Sequence, residues 1–147
     1  MNLYFDTSAL VKFFHVENGT DVVSRLLENK NNKIYVSELV KIEFLSALYR
    51  RFRNNEIKEK KLEQAITGFD EQLNNFYIEP LSHTVVNEAE FLIRRYGEIQ
   101  GLRTLDSLQL ATFTLISNPD WSFVSTDEKL CSIAREIGYN IINPLKS

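Results

Sequence analysis

Asn2-Leu3-Tyr4-Phe5-Asp6-Thr7-Ser8-Ala9-Leu10-Val11-Lys12-Phe13-Phe14 carries two periodicities in one short stretch. Leu3 to Phe5 is a compact apolar run that reads as a buried strand, whereas Leu10, Val11, Phe13 and Phe14 recur at helical spacing. The strand therefore turns into a helix at Asp6, with Thr7 and Ser8 as the capping types. Open α/β sheets place their ligands where a strand's carboxyl end meets a helix amino end. An acid at such a turn is more often a cap than a catalyst, so a functional Asp6 requires other acids to converge on it.

The pattern repeats outward from there. Thr20 is expected to cap a short helix carrying Val22, Val23, Leu26 and Leu27, after which Ile34-Tyr35-Val36 reads as a second strand. From Ser37 to about Phe52 the spacing is helical and apolar nearly all round. Leu62, Ala65, Ile66, Phe69, Leu73 and Phe76 mark a long amphipathic helix after the break at Asn54-Asn55. Tyr77 to Glu79 reads as a third strand, stopped by Pro80. Val85 to Tyr96 is a helix expected to close at Gly97, and Leu105 to Leu115 another after Gly101. Trp121 to Val124 is the fourth strand, Leu130 to Ile137 the last helix before Gly138, and Tyr139 to Ile142 the fifth strand. Short apolar strands separated by helices imply a parallel sheet of about five strands between helix layers, an α/β/α sandwich.

At 147 residues with 44% apolar content the chain suits a single domain, residues 1–147, with a real core. Its one cysteine, Cys131, allows no internal disulfide and fits a reducing cytoplasm. No basic leader and no apolar run of roughly 18 residues is present, so neither export nor membrane anchoring is expected. A net charge of −3 argues against gripping nucleic acid by bulk positive charge, so such a ligand needs a local basic patch or metal ions.

Acids single themselves out by context. The chain holds six aspartates (6, 21, 70, 106, 120 and 127), against fourteen glutamates that mostly decorate helices. Asp106 falls in a first helical turn inside an otherwise apolar run, where an acid that only complements the dipole would face solvent. Asp127 follows the fourth strand, where Ser125 and Glu128 have capping-box spacing, so it reads equally as a helix-start residue. Glu43 sits mid-helix on a face shared with Leu39, Val40, Ser46 and Ala47, where a bare charge is costly without a partner. Asp6 and Asp127 end strands while Glu43 and Asp106 project from neighbouring helices, so all four are expected to face one crevice. Four such carboxylates repel unless divalent cations neutralise them, and all-oxygen ligation favours Mg²⁺ or Mn²⁺.

At these residues the sequence resembles the PIN-domain family and, within it, the VapC-like toxin ribonucleases of toxin–antitoxin pairs. Phe5-Asp6-Thr7-Ser8-Ala9-Leu10-Val11-Lys12 is similar to the family's opening motif and Glu43 to its second acid. Leu102 to Ala111 resembles the third block, and Val124-Ser125-Thr126-Asp127 with Asn143-Pro144 the ending. Gln109 stands where family members often have His. The resemblance implies metal-dependent endoribonuclease activity with Asp6, Glu43, Asp106 and Asp127 at the site; Asp6, Asp106 and Asp127 would hold one or two Mg²⁺ or Mn²⁺ ions, directly or through water, and Glu43 would complete the shell or orient the attacking water. Ser8, Thr7 and Ser125 would hydrogen-bond the ligands or the phosphate. It also implies neutralisation by a small antitoxin.

Partners follow the surplus surface. Lys41, Arg50, Arg51, Arg53, Lys58, Lys60 and Lys61 form either a rim for an RNA backbone or a solvated helix end, since Glu56, Glu59 and Glu63 are interleaved with them. Arg103, three residues before Asp106, is the better candidate for a phosphate, or pairs with that acid. The apolar helix from Ser37 to Phe52 is expected to dock an amphipathic antitoxin segment or a second copy of the chain in a homodimer. A non-catalytic PIN-like binding module, or a processing ribonuclease without an antitoxin, remains open at this level. A phosphate-accepting receiver domain does not fit, because Ser37 and Asn143 stand where it wants Asp and Lys. A haloacid-dehalogenase-like phosphatase does not fit either, because Ser8 stands where it wants a second Asp.

Overall fold

β1 (Asn2–Phe5) sends Leu3 and Phe5 to one side of the sheet and Tyr4 to the other, and the whole core follows that alternation. The computed structural model describes residues 1–146. With β2 (Lys33–Ser37), β3 (Tyr77–Glu79), β4 (Ser122–Val124) and β5 (Asn140–Ile142), β1 forms one parallel sheet in the order β3-β2-β1-β4-β5. On the Leu3/Phe5 side lie α1 (Thr7–Phe14), α2 (Thr20–Glu28), α3 (Val40–Arg53) and α4 (Glu59–Gln72), packed through Val23, Phe44, Leu48, Leu62 and Phe69. The Tyr4 side is covered by α5 (His83–Gln100), α6 (Thr104–Ile116) and α7 (Glu128–Ile137), through Leu92, Phe113, Phe123 and Ile133. The expected α/β/α sandwich with five parallel strands is what the chain forms.

The strand order has a reversal at its centre. From β1 the chain moves outward to β2 and β3, then crosses back to β4 and β5, so the switch falls between β1 and β4. The backbone N–H of Asp6 donates to the Val124 carbonyl at 3.1 Å, which extends the β1–β4 ladder one residue past the strand. Asp6 thus stands at the mouth of the crevice that such reversals open.

Helix boundaries depart from the sequence reading at several places. Ser37 ends β2, its Oγ accepting from Leu39 N at 3.1 Å, and α3 starts only at Val40. Glu43 therefore lies in the first turn of α3 rather than mid-helix. Gly97 does not close α5; the helix runs on to Gly101, whose φ of +71° supplies the left-handed closing residue. A Cβ at position 97 would come within 3.2 Å of Ile93 Cγ2, so that glycine answers to packing. Gly19, at φ +94°, takes the cap position of α2, while the Thr20 hydroxyl turns away to donate to the Lys12 carbonyl at 2.7 Å. Cys131 is fully buried.

Candidate active site

Asp6 is both cap and site residue. Its Oδ1 accepts from Ala9 N at 3.1 Å, closing the amino end of α1, and from Ser8 Oγ at 2.7 Å; Oδ2 accepts from Ser125 Oγ at 2.6 Å. The side chains expected to cap α1 do something else: Ser8 holds Asp6, and Thr7 holds Glu43. Asp6 is 4% exposed, and burial pushes its carboxyl up to about 7 despite the hydrogen bonds from Ser125, Ser8 and Ala9. The charge of Asp106 adds to the rise. Three of the carboxylate's roughly four acceptor positions are used, which leaves one on Oδ2.

Glu43 is half-buried and held from below. Thr7 Oγ1 and Gln109 Nε2 each donate to its Oε1 at 2.8 Å. Gln109 is 2% exposed, and its Oε1 in turn accepts from the Tyr4 hydroxyl at 2.6 Å. Burial raises the Tyr4 phenol well above its ordinary range, so it stays a donor. The sequence did not point to Tyr4, and it marked Gln109 only as a departure from the family's pattern. The available signal was Gln109 itself, an amide in an apolar run between Leu108 and Leu110, since a buried polar group demands partners.

Asp106 lies in the first turn of α6, half-buried. Its carboxyl is raised, first by burial and then by the charges of Asp127 and Glu43, with Arg103 and Lys129 opposing. Asp127 caps α7, its Oδ1 accepting from Leu130 N at 2.9 Å. The expected Ser125–Glu128 capping box does not form. Ser125 Oγ accepts from Asp127 N at 3.1 Å and donates to Asp6, while Glu128 pairs with Lys146 at 2.9 Å. Arg103 is exposed at the start of α6; among the described residues it makes no ion pair with Asp106 and acts on it through space.

The four acids share one design. Asp6 and Asp127 are caps, and Glu43 and Asp106 occupy first turns. These helix amino ends gather around one hollow, near enough that Asp106 feels the charges of Asp127 and Glu43, and Asp6 that of Asp106, although of the four only Glu43 lines the open cleft beside it. The positive ends of those helices favour the carboxylates locally, yet burial, with mutual repulsion as the smaller cause, still lifts Asp6 and Asp106. A cleft of about 500 Å³ opens between α1 and α3, with Thr7, Ser8 and Glu43 at one end and Lys12, Arg50 and Arg51 at the other. Lys12 and Arg51 share a single carboxylate oxygen, Glu17 Oε1, at 3.2 and 3.4 Å, which leaves an excess of positive charge there. Of the basic rim from Lys41 to Lys61, Arg50 and Arg51 reach this cleft; Lys58 and Lys61 line a separate apolar groove with Phe13, Phe14, Leu48 and Ala65.

Among the described residues no three His, Cys, Asp or Glu side chains form a ready-made ligand set. The donors nevertheless suit a hard divalent cation. All are oxygens, their crowding calls for positive charge, and Mg²⁺ keeps several waters while taking only one or two carboxylates directly. Asp106, Asp127 and the remaining position on Asp6 Oδ2 would be its protein donors, with Glu43 Oε2 beside them.

The family model described as PIN domain matches residues 3–136. A curated relative, Ribonuclease VapC45 of Mycobacterium tuberculosis, is 27% identical over 139 residues, covering 95% of this chain and 93% of that protein. Among solved structures, VapC20 of M. tuberculosis, described as a sarcin-ricin loop cleaving toxin, aligns with a TM-score of 0.69 at 16% identity over 97% of this chain and 99% of that one. A toxin–antitoxin complex from Klebsiella pneumoniae gives 0.68 at 18% identity over 99% of both chains. VapBC2 from Rickettsia felis, bound to promoter DNA, gives 0.65 at 21% over 97% of this chain and 98% of that one. Among the described residues no helix is long and apolar enough to cross a membrane.

Proposed function

The chain belongs to the PIN domain family, and on that premise we propose that it is a metal-dependent endoribonuclease, the toxin of a toxin–antitoxin pair. The observation that supports this reading is that Asp6, Glu43, Asp106 and Asp127 all stand at helix amino ends, near enough that Asp106 feels the charges of Asp127 and Glu43, and Asp6 that of Asp106. A binding module has no need to gather like charges at a cost to its own folding. The likeness to named ribonucleases at 27% identity points the same way.

A bound Mg²⁺ or Mn²⁺ lowers the pKa of a water and offsets charge developing on the scissile phosphate. The protein's own contribution is placement. Ser8 and Ser125 hold Asp6, Thr7 and Gln109 hold Glu43, and Leu130 N holds Asp127. Arg50, Arg51 and Lys12 draw the RNA backbone into the cleft. Exposed Arg103, beside Asp106, supplies a second positive charge at the opposite rim.

The groove of about 560 Å³ between the end of α1, α3 and α4 would take the apolar side of an antitoxin segment. Exposed Ile42, Tyr49 and Phe52 on α3 would meet a second copy of the chain. The deciding experiment maps RNA 5′ ends after brief induction of the wild type and of Asp106→Asn, with Mn²⁺ titrated into both purified proteins. New ends and Mn²⁺ heat in the wild type alone are expected; identical results for the two proteins overturn the enzyme reading.

A further inference from the structure

We propose that Tyr4 and Gln109 act as a positioning relay, built into the core, that makes Glu43 present a single oxygen, Oε2, to the cleft. The inference rests on Glu43 belonging to the catalytic hollow and goes beyond it, to two residues that do not themselves touch that hollow.

Hydrogen-bond accounting fixes each member in turn. Tyr4 has one proton to give, and it goes to Gln109 Oε1 at 2.6 Å. That contact settles which way the amide faces: its oxygen is on Tyr4, so Nε2 lies toward Thr7 and Glu43. Nε2 has two hydrogens, directed to Thr7 Oγ1 at 3.2 Å and Glu43 Oε1 at 2.8 Å. The Thr7 hydroxyl spends its one proton on the same Glu43 Oε1, at 2.8 Å. Glu43 Oε1 thus accepts twice, which fills it, whereas among the described residues no protein group donates to Oε2. The acid's orientation is settled before any ligand arrives.

Three features separate this from an ordinary buried contact. Tyr4, Gln109 and Thr7 are buried, so water does not compete for their donors. The relay ends on a charged group, and hydrogen bonds to charge are the stronger kind. Gln109 also lies three residues after Asp106 on α6, so one helical turn places both the hollow's own acid and the support for Glu43. A free glutamate side chain loses rotamer freedom when it is pinned, and the relay meets that cost during folding.

Function and packing are separated by removing the relay as a unit. Gln109→Met alone deletes the donor but strands the Tyr4 hydroxyl, and it lowers the thermal midpoint. Tyr4→Phe combined with Gln109→Met deletes donor and stranded hydroxyl together and recovers the midpoint. Gln109→His keeps an N–H at the position. The readouts are Mn²⁺ affinity by calorimetry, and turnover on a fluorogenic oligoribonucleotide built around the cleavage site mapped for the wild type.

The double variant is expected to regain the midpoint of the wild type yet lose roughly 10- to 100-fold in Mn²⁺ affinity or kcat, the usual range for supports of metal ligands. Its KM should stay within about twofold, and Gln109→His should recover part of the loss, because the defect lies in orientation rather than in RNA contact. A double variant with wild-type Mn²⁺ affinity and kcat overturns the relay, as does recovery of both in step with the midpoint. Asp106→Asn, run alongside, separates the two levels. If it binds Mn²⁺ and cleaves like the wild type, the nuclease reading has failed and the relay with it; if it is dead while the double variant is normal, only the relay has failed.

Discussion

Two corners of the hollow use the same chemistry to opposite ends. At the β1–β4 corner, Asp6 is closed in by Ala9, Ser8 and Ser125, and burial lifts its carboxyl to about 7. At the α3–α6 corner, Glu43 and Asp106 are half-buried, and Asp106 is lifted by its acidic neighbours as well as by burial. Both corners place carboxylates at helix amino ends, so the dipole does not distinguish them. Solvent access does. The closed corner ties the strand reversal together, and at the open corner Glu43 lines the cleft.

The contrast breaks most sharply on activity and stability together. Asp6→Asn and Asp106→Asn should each cut RNA cleavage by more than about 100-fold, beyond the range for residues that only support a ligand. They should part company in thermal unfolding of the metal-free protein at pH 8, where Asp6→Asn raises the midpoint and Asp106→Asn moves it little. Equal midpoint shifts for the two variants would remove the distinction between the corners.

Next in size is the pH dependence of the closed corner. With a folded value near 7 against 3.8 for the exposed group, Asp6 keeps its proton in the native protein after the unfolded chain has lost it. Its contribution is complete below about pH 4 and is lost as pH rises to about 7, at most on the order of 4 kcal/mol. Urea unfolding of the metal-free protein at pH 4.5 and pH 8 should show the wild type losing stability relative to Asp6→Asn; a constant difference would refute the shift.

Smaller effects sharpen each corner. Ser125→Ala removes the donor to Asp6 Oδ2 and should cost about 1–3 kcal/mol at pH 8, where the carboxylate is ionised, and less at pH 4.5; chemical denaturation at the two pH values reads the difference. Arg103→Ala at the open corner should leave stability unchanged and weaken RNA binding by about fivefold or less, the scale of an exposed charge. Fluorescence anisotropy with a catalytically silenced protein measures it, and an unchanged affinity would exclude Arg103 from RNA contact.

Much of the architecture was readable because it is local. Leu3 to Phe5, Ile34 to Val36 and Trp121 to Val124 announce strands by composition, and the intervening 3.6-residue spacings announce helices. Boundaries were less legible where one residue had two possible uses. Ser37 reads as a helix start yet ends β2, and Gly97 reads as a stop yet packs inside α5, because the competing use depends on a neighbour that spacing does not reveal. The acids stood out by context, Asp106 by its apolar run and Glu43 by its face. The caps of α1 and α7 are Asp6 and Asp127 themselves, while Ser8 holds Asp6 locally and the Thr7 and Ser125 hydroxyls are claimed across the fold by Glu43 and Asp6.

By itself, then, the order of residues determined the layers, the parallel strands and which acids stand at turns, since hydrophobic period and turn chemistry act over a few neighbouring positions. Beyond their local cap contacts, tertiary structure alone decided how those acids are held. Ser125 meets Asp6 across 119 positions and Tyr4 meets Gln109 across 105. Such partners leave no periodic trace in the chain, because a hydrogen bond depends on distance and angle in space, and only the packed sheet brings both ends within reach.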